Sequence, residues 1–220
     1  MLSLLFFSKI SWALPNITWS QLYALQEWEE LTQQKNDIGI ITVYRGYFGD
    51  FPCFVGKTTT QLSAELLLSI ASQAEEAITW SSAGITEAKE LKRTTTYVDY
   101  YQYLDVPVFS DRFWILRGFF EEEQTEKGTK KIFHWNKISK EYTVLQEQIQ
   151  KKNPYAVEPI INVGAWTFEP LDKNGTLLLS YYICSHPGGS VPVALQSVAT
   201  EKTLPNNIKD ILLEGQKRSQ

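Results

Sequence analysis

Few side chains in this sequence have the types and spacing that catalysis or metal binding requires. Its histidines are His134 and His186, and its cysteines, Cys53 and Cys184, lack the spacing of metal ligands. The chain contains no Gly-x-Ser-x-Gly elbow, glycine-rich phosphate loop, His-Glu-x-x-His or Cys-x-x-Cys motif. We therefore predict no catalytic residue, no metal and no cofactor. Because each cysteine lies in an apolar, strand-like run, we expect buried free thiols.

One acidic residue lies where a charge is unexpected. Asp99 interrupts the aromatic, strand-like segment from Tyr97 to Tyr101. A lone buried carboxylate is costly, whereas a guanidinium partner satisfies it with two hydrogen bonds. If the carboxylate and its partner face the interior, they offer a polar anchor for a ligand hydroxyl or headgroup. The alternative is that they face solvent.

Composition limits the classes of function. The 220 residues are 43% hydrophobic and 13% aromatic, which is enough for a large core or for a core with an apolar cavity. A formal charge of −4 and the lack of a basic cluster argue against binding to nucleic acid. No apolar run is long enough to span a membrane as a helix.

The N-terminus allows two interpretations. The block from Leu2 to Phe7 is apolar and Lys9 follows it, while Ser11 and Ala13 suit signal-peptidase cleavage after Ala13. We predict a signal peptide over residues 1–13 whose true start lies upstream. The alternative is an apolar segment that packs on the domain. The first interpretation places the mature chain in a periplasmic or other exported space, and the second leaves it cytoplasmic.

The order of predicted elements indicates an α+β fold. Apolar spacing predicts a helix over residues 18–34, a hairpin around Gly49 and Asp50, and a helix over 63–77. Further strands are predicted at 88–95, 96–104, 112–122, 131–137, 160–170 and 176–184, followed by helices at 192–200 and 205–216. Residues 142–152 form either a short helix or a loop. A curved antiparallel sheet gripping a C-terminal helix satisfies this order. Whether it encloses a cavity or a dense core stays open.

Three segments resemble a known family. His186-Pro187-Gly188-Gly189-Ser190-Val191-Pro192 is similar to the Asp-Pro-Gly-Gly-Ser-hydrophobic-Pro segment that precedes the closing helix of START domains. The segments from Ser110 to Arg117 and from Gly164 to Pro170 resemble strands of the same family. START domains are lipid-transfer modules related to the steroidogenic acute regulatory protein. The resemblance implies one helix-grip domain over residues 18–218.

The resemblance also implies where a ligand binds. In START domains an acid and an arginine often pair inside the cavity, and matching by position assigns these roles to Asp99 and Arg117. Strand alternation from that pair gives the remaining ligand-binding residues. They are Tyr97, Tyr101, Tyr103, Phe113, Ile115, Trp166, Phe168 and Tyr182 on the strands, with Leu195 and Val198 on the closing helix. The turn at residues 106–110 resembles the family's gating loop.

We expect the domain to bind one lipid or sterol-like molecule without chemical change, as a monomer that contacts membranes transiently and could transfer this ligand between them. Two alternatives stay open. One is an enzyme of the same superfamily, a cyclase, aromatase or hydrolase, with a poised acid or base in the cavity. The other is a protein-interaction module whose groove takes a protein segment or whose cavity is filled by side chains.

Overall fold

A nine-stranded sheet with antiparallel pairing throughout forms the frame of the chain. The computed structural model describes residues 16–106, 109–186, 188–189 and 193–220. The strands are β1 (Glu29–Asn36), β2 (Gly39–Phe48), β3 (Phe51–Thr60), β4 (Ile85–Arg93), β5 (Tyr97–Leu104), β6 (Arg112–Thr125), β7 (Gly128–Lys137), β8 (Ile161–Pro170) and β9 (Leu177–His186). They lie side by side in the order β1-β2-β3-β9-β8-β7-β6-β5-β4.

Five helices accompany the sheet in the described residues. They are α1 (Trp19–Tyr23), α2 (Ala64–Ser72), α3 (Ala77–Trp80), α4 (Thr143–Lys152) and α5 (Val193–Arg218). The α+β helix-grip architecture predicted from the sequence is confirmed. None of the helices in the described ranges is long and apolar enough to cross a bilayer.

The local signals for turns and caps were accurate. Gly49, at φ 63°, turns the β2–β3 hairpin. In the β8–β9 turn, Asp172 Oδ1 accepts hydrogen bonds from the backbone N–H groups of Asn174 and Thr176. Ser63 caps α2 by accepting a bond from the Leu66 N–H at 3.2 Å. These residue types adopt the required geometry through their own short-range hydrogen bonds, whatever the rest of the chain does.

The helix predicted over residues 18–34 is wrong in its extent. Thr18 begins a helix as expected, through a capping box with Gln21, but that helix ends at Tyr23. Residues 29–36 instead form β1, which pairs along the edge of β2. The open edge of β2 offers backbone hydrogen bonds to an adjacent extended segment. Those bonds outweigh the weak helix preference of this polar sequence.

The closing helix is continuous, whereas the sequence predicted two helices. It runs from Val193 to Arg218 with Pro205 inside it. The proline removes one backbone hydrogen bond. Close packing of α5 on the sheet compensates for this lost bond. An added Cβ on Gly56 of β3 would come within 2.0 Å of Leu204 and 2.5 Å of Ile208. Gly56 therefore lets α5 approach the sheet closely.

The main core fills the inner face of the sheet unevenly. Helix α5 lies across β2, β3 and β9, and α2 lies across β7 and β8. Their apolar faces meet in a buried core that includes Leu67, Ile70, Ile208 and Ile211. The inner faces of β5 and β6 reach this core through Val98, Tyr100 and Leu116, whereas α2 and α5 lie mainly over the other strands.

The outer face of the sheet is also covered. Residues 16–28, which include α1, pack Trp19 and Leu22 over the β3, β8 and β9 region. Helix α4 and a 3₁₀ turn, Ser139–Glu141, pack over β5 and β6. The polar segment at 142–152 is thus a helix that shields apolar strand residues.

The expectation of free thiols is wrong, because Cys53 and Cys184 form a disulfide. The two residues lie on neighbouring antiparallel strands, one step beyond the pair Phe54 and Ile183. Their Cα atoms are 4.4 Å apart, which is typical of directly opposed residues in an antiparallel pair. The sequence could not give this register, since 131 positions separate the cysteines.

Replacing Gly56 by alanine should destabilise the fold. The added methyl group overlaps Leu204 and Ile208, and overpacking of this kind costs about 1–3 kcal/mol. Urea unfolding followed by circular dichroism measures the change. Thr59→Ala, on an exposed position of the same strand, is the control and should change stability little. Equal midpoints for both variants would contradict the close approach of α5.

Candidate functional site: an internal cavity

A cavity of about 380 Å³ lies between the inner face of the sheet and the helices. Its lining comes from the inner faces of strands β5 to β9 and from helices α2, α3 and α5. Trp80 of α3 and six aromatic side chains of the sheet form much of its wall, the latter being Tyr100, Trp114, Phe133, Trp135, Trp166 and Tyr181. The pocket thus has aromatic rings of the sheet on one side and residues of the helices on the other.

Small residues on the helical side keep this space empty. Ala71, Ala74 and Ala77 face the cavity from α2, α3 and their connection. Their methyl groups cannot reach the aromatic rings across the space, and a curved sheet cannot close onto straight helices. The void is thus a consequence of short side chains opposite long ones.

The polar side chains of the cavity are neutral, and two of them are paired with indoles. Trp114 Nε1 donates to Gln102 Oε1 at 2.9 Å, and Gln102 Nε2 donates to the Ala74 carbonyl at 3.3 Å. Trp135 Nε1 donates to Asn162 Oδ1 at 3.1 Å. These bonds fix the two indole rings and the two amides in place.

Two tyrosines bring hydroxyl groups into the cavity. The Tyr181 ring stacks on Trp166 with centroids 4.1 Å apart. Burial raises the pKa of Tyr181 to about 12, against the opposing effect of a hydrogen bond with Asn207. Burial also raises the pKa of Tyr100 far above its usual range. Both hydroxyls therefore stay protonated at neutral pH and act as hydrogen-bonding groups.

No charged side chain lines the cavity among the residues that the structure describes. The described chain also contains no group of three potential metal ligands. The chemistry available in the cavity is thus apolar contact, ring stacking and hydrogen bonding by uncharged groups.

The structure pairs Asp99 with Arg117 but places the pair outside the cavity. Arg117 Nε and Nη2 donate to the two oxygens of Asp99 at 2.6 and 2.8 Å, and the carboxylate is fully buried. The Tyr142 hydroxyl donates to Asp99 at 2.8 Å, and Glu141 accepts from Arg117 at 2.9 Å. Both partners from residues 141–142 belong to the outer covering. The predicted position inside the cavity is therefore wrong.

Five other predicted ligand-binding residues on β5 and β6 point to the same face as Asp99 and Arg117, which is the outer face of the sheet. Tyr97 lies against the Arg117 guanidinium, with 4.5 Å between the guanidinium carbon and the ring centroid. The others pack beneath α4 and the 3₁₀ turn: Tyr101, Tyr103, Phe113 and Ile115. The inner face carries the complementary set, Tyr100, Gln102, Trp114 and Leu116. Because α4 buries the outer face, both faces of β5 and β6 are apolar, and alternation alone could not distinguish them.

Predictions on the remaining elements have mixed outcomes. Trp166 lines the cavity, and Phe168 lies on the same inner face in the main core. Tyr182 packs on the outer face near the disulfide, so its predicted place in the cavity is wrong. Its neighbours Tyr181 and Ile183 take the inner positions.

Leu195 and Val198 also lie away from the cavity, 45% and 48% exposed. A helix turns about 100° per residue. Because α5 is continuous, Leu195 is rotated about 180°, and Val198 about 120°, from the buried Leu204. Two separate helices were predicted from the sequence, so the rotation of Leu195 and Val198 relative to Leu204 could not be derived from it.

The turns that flank the cavity are described only in part. Gly188 and Gly189 have φ values of 67° and 61°, the left-handed conformation that the Gly-Gly sequence predicts. The predicted gating turn contains Pro107 and Val108, which lie outside the described residues. Of its two described apolar side chains, Val106 is half-buried and Phe109 is 45% exposed.

A second pocket of about 640 Å³ lies on the outer face beside residues 16–20. Its wall includes His134, whose ring stacks between Trp19 and Phe119. Burial lowers the pKa of His134, although Glu121 Oε1 lies 3.0 Å from its Nε2. Much of the surrounding wall is exposed and polar, so the inner cavity, with its buried aromatic walls, is the better candidate for a hydrophobic ligand.

Comparison with solved structures places the fold among START domains. The STAR-related lipid transfer protein of Xanthomonas axonopodis matches with a TM-score of 0.68 at 19% identity, covering 87% of this chain and 99% of that one. Human STARD10 matches with a TM-score of 0.69 at 13% identity, covering 96% of this chain and 83% of that one. The aromatase/cyclase Zhui of Streptomyces sp. R1128 matches with a TM-score of 0.52 at 11% identity, covering 76% of this chain and 95% of that one.

These identities establish a START-like fold and no more. No family model matches the sequence, and no curated protein matches it. The suspected resemblance is thus confirmed at the level of architecture, with lipid-transfer proteins and an aromatase/cyclase both among the structures that share it.

Replacing Asp99 by alanine should reduce stability and leave cavity binding unchanged. The substitution strips Arg117 of its two carboxylate bonds, and breaking a buried pair costs about 3 kcal/mol. Glu141→Gln, which alters the exposed arm of the network, should cost less than about 1 kcal/mol. Urea unfolding and titration with a cavity ligand measure the two effects. A loss of affinity for the cavity ligand at unchanged stability would instead indicate that Asp99 belongs to the binding site.

Proposed function

We propose that this chain binds one uncharged hydrophobic molecule in the inner cavity and carries it without chemical change. The observation that supports this most directly is an internal space walled by aromatic rings, with no charged side chain in its described lining. Each buried CH₂ group of a ligand contributes about 0.8 kcal/mol, so apolar contact alone can supply useful affinity.

The size of the cavity favours a compact ligand. About 380 Å³ lies in the lower part of the range of about 300–1,000 Å³ that is typical of pockets for drug-sized molecules. A ring system of sterol type or a single acyl chain suits this volume better than a lipid with two long chains. The flat walls of Trp114 and Trp166 favour a ring system.

The polar groups favour an uncharged ligand. A phosphate or carboxylate drawn into this lining would lose water and find no cationic partner among the described side chains. The Tyr100 hydroxyl and the Asn162 amide can instead bond a hydroxyl or carbonyl oxygen. These two residues take the anchoring role that the sequence assigned to Asp99 and Arg117.

An enzymatic role is the alternative that the aromatase/cyclase neighbour keeps open. The raised pKa values of Tyr100 and Tyr181 leave protonated hydroxyls that could serve as acids, but general-base chemistry needs a group that accepts a proton near neutral pH. The described lining offers no carboxylate, imidazole or amine for that role. Binding without turnover is therefore the function that we favour.

Transfer requires contact with a membrane or another donor. Exposed apolar side chains at Phe109, Leu195 and Val198 support a transient contact of this kind. We propose that the chain acts as a monomer, taking up ligand from a surface and releasing it to another.

Filling the cavity should abolish binding. Ala77→Met places a long side chain opposite the aromatic wall, and we expect at least a tenfold loss of affinity for the neutral dye Nile red at unchanged or increased stability. Ile78→Met, on an exposed position of the same helix, is the matched control. Native mass spectrometry with lipid extraction should find a copurifying neutral lipid in the wild type and in the control only. Conversion of an added ligand to a new mass would favour the enzyme, and identical binding by both variants would exclude this cavity.

We also propose that the chain is exported, as the apolar N-terminal block predicted. The Cys53–Cys184 disulfide supports this, since structural disulfides persist in oxidising compartments and are rare in the cytosol. Acid quenching of native cells followed by maleimide labelling should leave both sulfur atoms unmodified unless a reductant is added first. Labelling of both cysteines without reduction would instead indicate a reducing compartment.

A further inference from the structure

The rim of the cavity can be located from side chains that both line it and face solvent. On one side these are Ser82 and Ala83, in the connection between α3 and β4. On the other side they are Thr203 and Asn206 of α5. The lining residues of the sheet are largely buried, for example Tyr100 and Trp166, so they do not belong to the rim. The thin part of the wall therefore lies between the α3–β4 connection and α5.

Residues 80–85, which we name the strap, run along this thin wall. Five of the six positions contribute to the cavity lining: Trp80, Ser81, Ser82, Ala83 and Ile85. Most of the strap precedes β4, which begins at Ile85, and so lies outside the sheet ladder. Removing the strap from its position would expose the ligand directly to solvent.

The strap is fastened to α5 through one carboxylate. The backbone N–H and the hydroxyl of Ser82 both donate to Asp210 Oδ2, each at 2.7 Å. Asp210 lies about one turn beyond Asn206, so it stands next to the rim on the same side of α5. Hydrogen bonds to a charged acceptor are short and strong, yet two such bonds can open without unfolding the domain.

The ends of the strap are suited to act as hinges. Near its start, the Ser81 N–H closes the short helix α3 by donating to the Ala77 carbonyl at 2.9 Å. Near its end, Gly84 has φ 81°, and its carbonyl accepts a bond from the Asp105 N–H at 3.0 Å. Between these fixed points, the Ala83 N–H donates a local bond to Ser81 Oγ at 3.2 Å. Residues 82 and 83 can thus move while the bonds of Ser81 and Gly84 stay in place.

We infer that the strap is a lid over the cavity and that Asp210 is its latch, so that ligand exchange passes between the strap and α5. This inference rests on the proposed binding function and assigns the route and the residue that control it. Breaking the bonds between Ser82 and Asp210 opens the route, and re-forming them encloses the ligand. The exchange rate is therefore set by the latch, while affinity is set by the aromatic walls.

The test compares latch variants by stopped-flow exchange of Nile red. Asp210→Ala should raise both the association and the dissociation rates about tenfold, with the dissociation constant changed less than about threefold. Ser82→Ala, which keeps the backbone bond, should give a smaller increase. The matched control is Asp37→Asn, which breaks the ion pair of Lys209 at 3.2 Å on the same helix and should leave both rates unchanged.

Amide hydrogen exchange provides the second measurement. In Asp210→Ala, protection should fall at Ser82 and its neighbours and stay unchanged in the sheet. Unchanged dye rates in a variant whose strap has lost protection would overturn the latch while leaving the binding function intact. Failure of the wild type to bind the dye would remove the binding function, and the latch with it.

Discussion

The approach of α5 to β3 at Gly56 is the contact on which the rest of the structure depends. The absence of a side chain there lets Leu204 and Ile208 seat against the strand. With that seat fixed, the helical repeat places Thr203 and Asn207 on the cavity side and turns Leu195 toward solvent. The shape of the cavity, the position of its rim and the exposure of the first helical turns all follow from one close contact.

The charged side chains that the structure describes lie outside the lining of the inner cavity. The buried carboxylate of Asp99 is satisfied by Arg117 and Tyr142 on the outer face, where it joins the outer covering to the sheet. Inside, two amides bond two indoles, as in the pair formed by Gln102 and Trp114, while the buried Nε1 of Trp80 has no hydrogen-bond partner. The proposed ligand would meet a lining of uncharged groups, in which the Gln102 and Asn162 amides are already bonded to indoles. Such preorganisation favours neutral molecules by shape and ring contact.

The sequence carried enough information to predict the architecture but only part of the site. Turns and caps at Ser63, Asp172 and Gly188 depend on short-range chemistry and could therefore be predicted from the sequence. The α+β order and the need for a partner at Asp99 were also correct. The face of β5 was not readable, since a second layer buries its outer side and removes the usual contrast between polar and apolar faces. The disulfide and β1 depend on register and on a free strand edge, which no local pattern records.

The disulfide makes a closed covalent ring of everything between β3 and β9, because its two cysteines are 131 positions apart. Cross-linking a loop of this size removes about 5 kcal/mol of entropy from the unfolded chain, which favours the folded state. The ring also encloses the strap. A peptide bond cut by a protease at exposed Ser82 or Ala83 would leave both fragments tethered, still packed around the same core. The molecule can thus carry a vulnerable segment at its cavity rim without coming apart when that segment is severed.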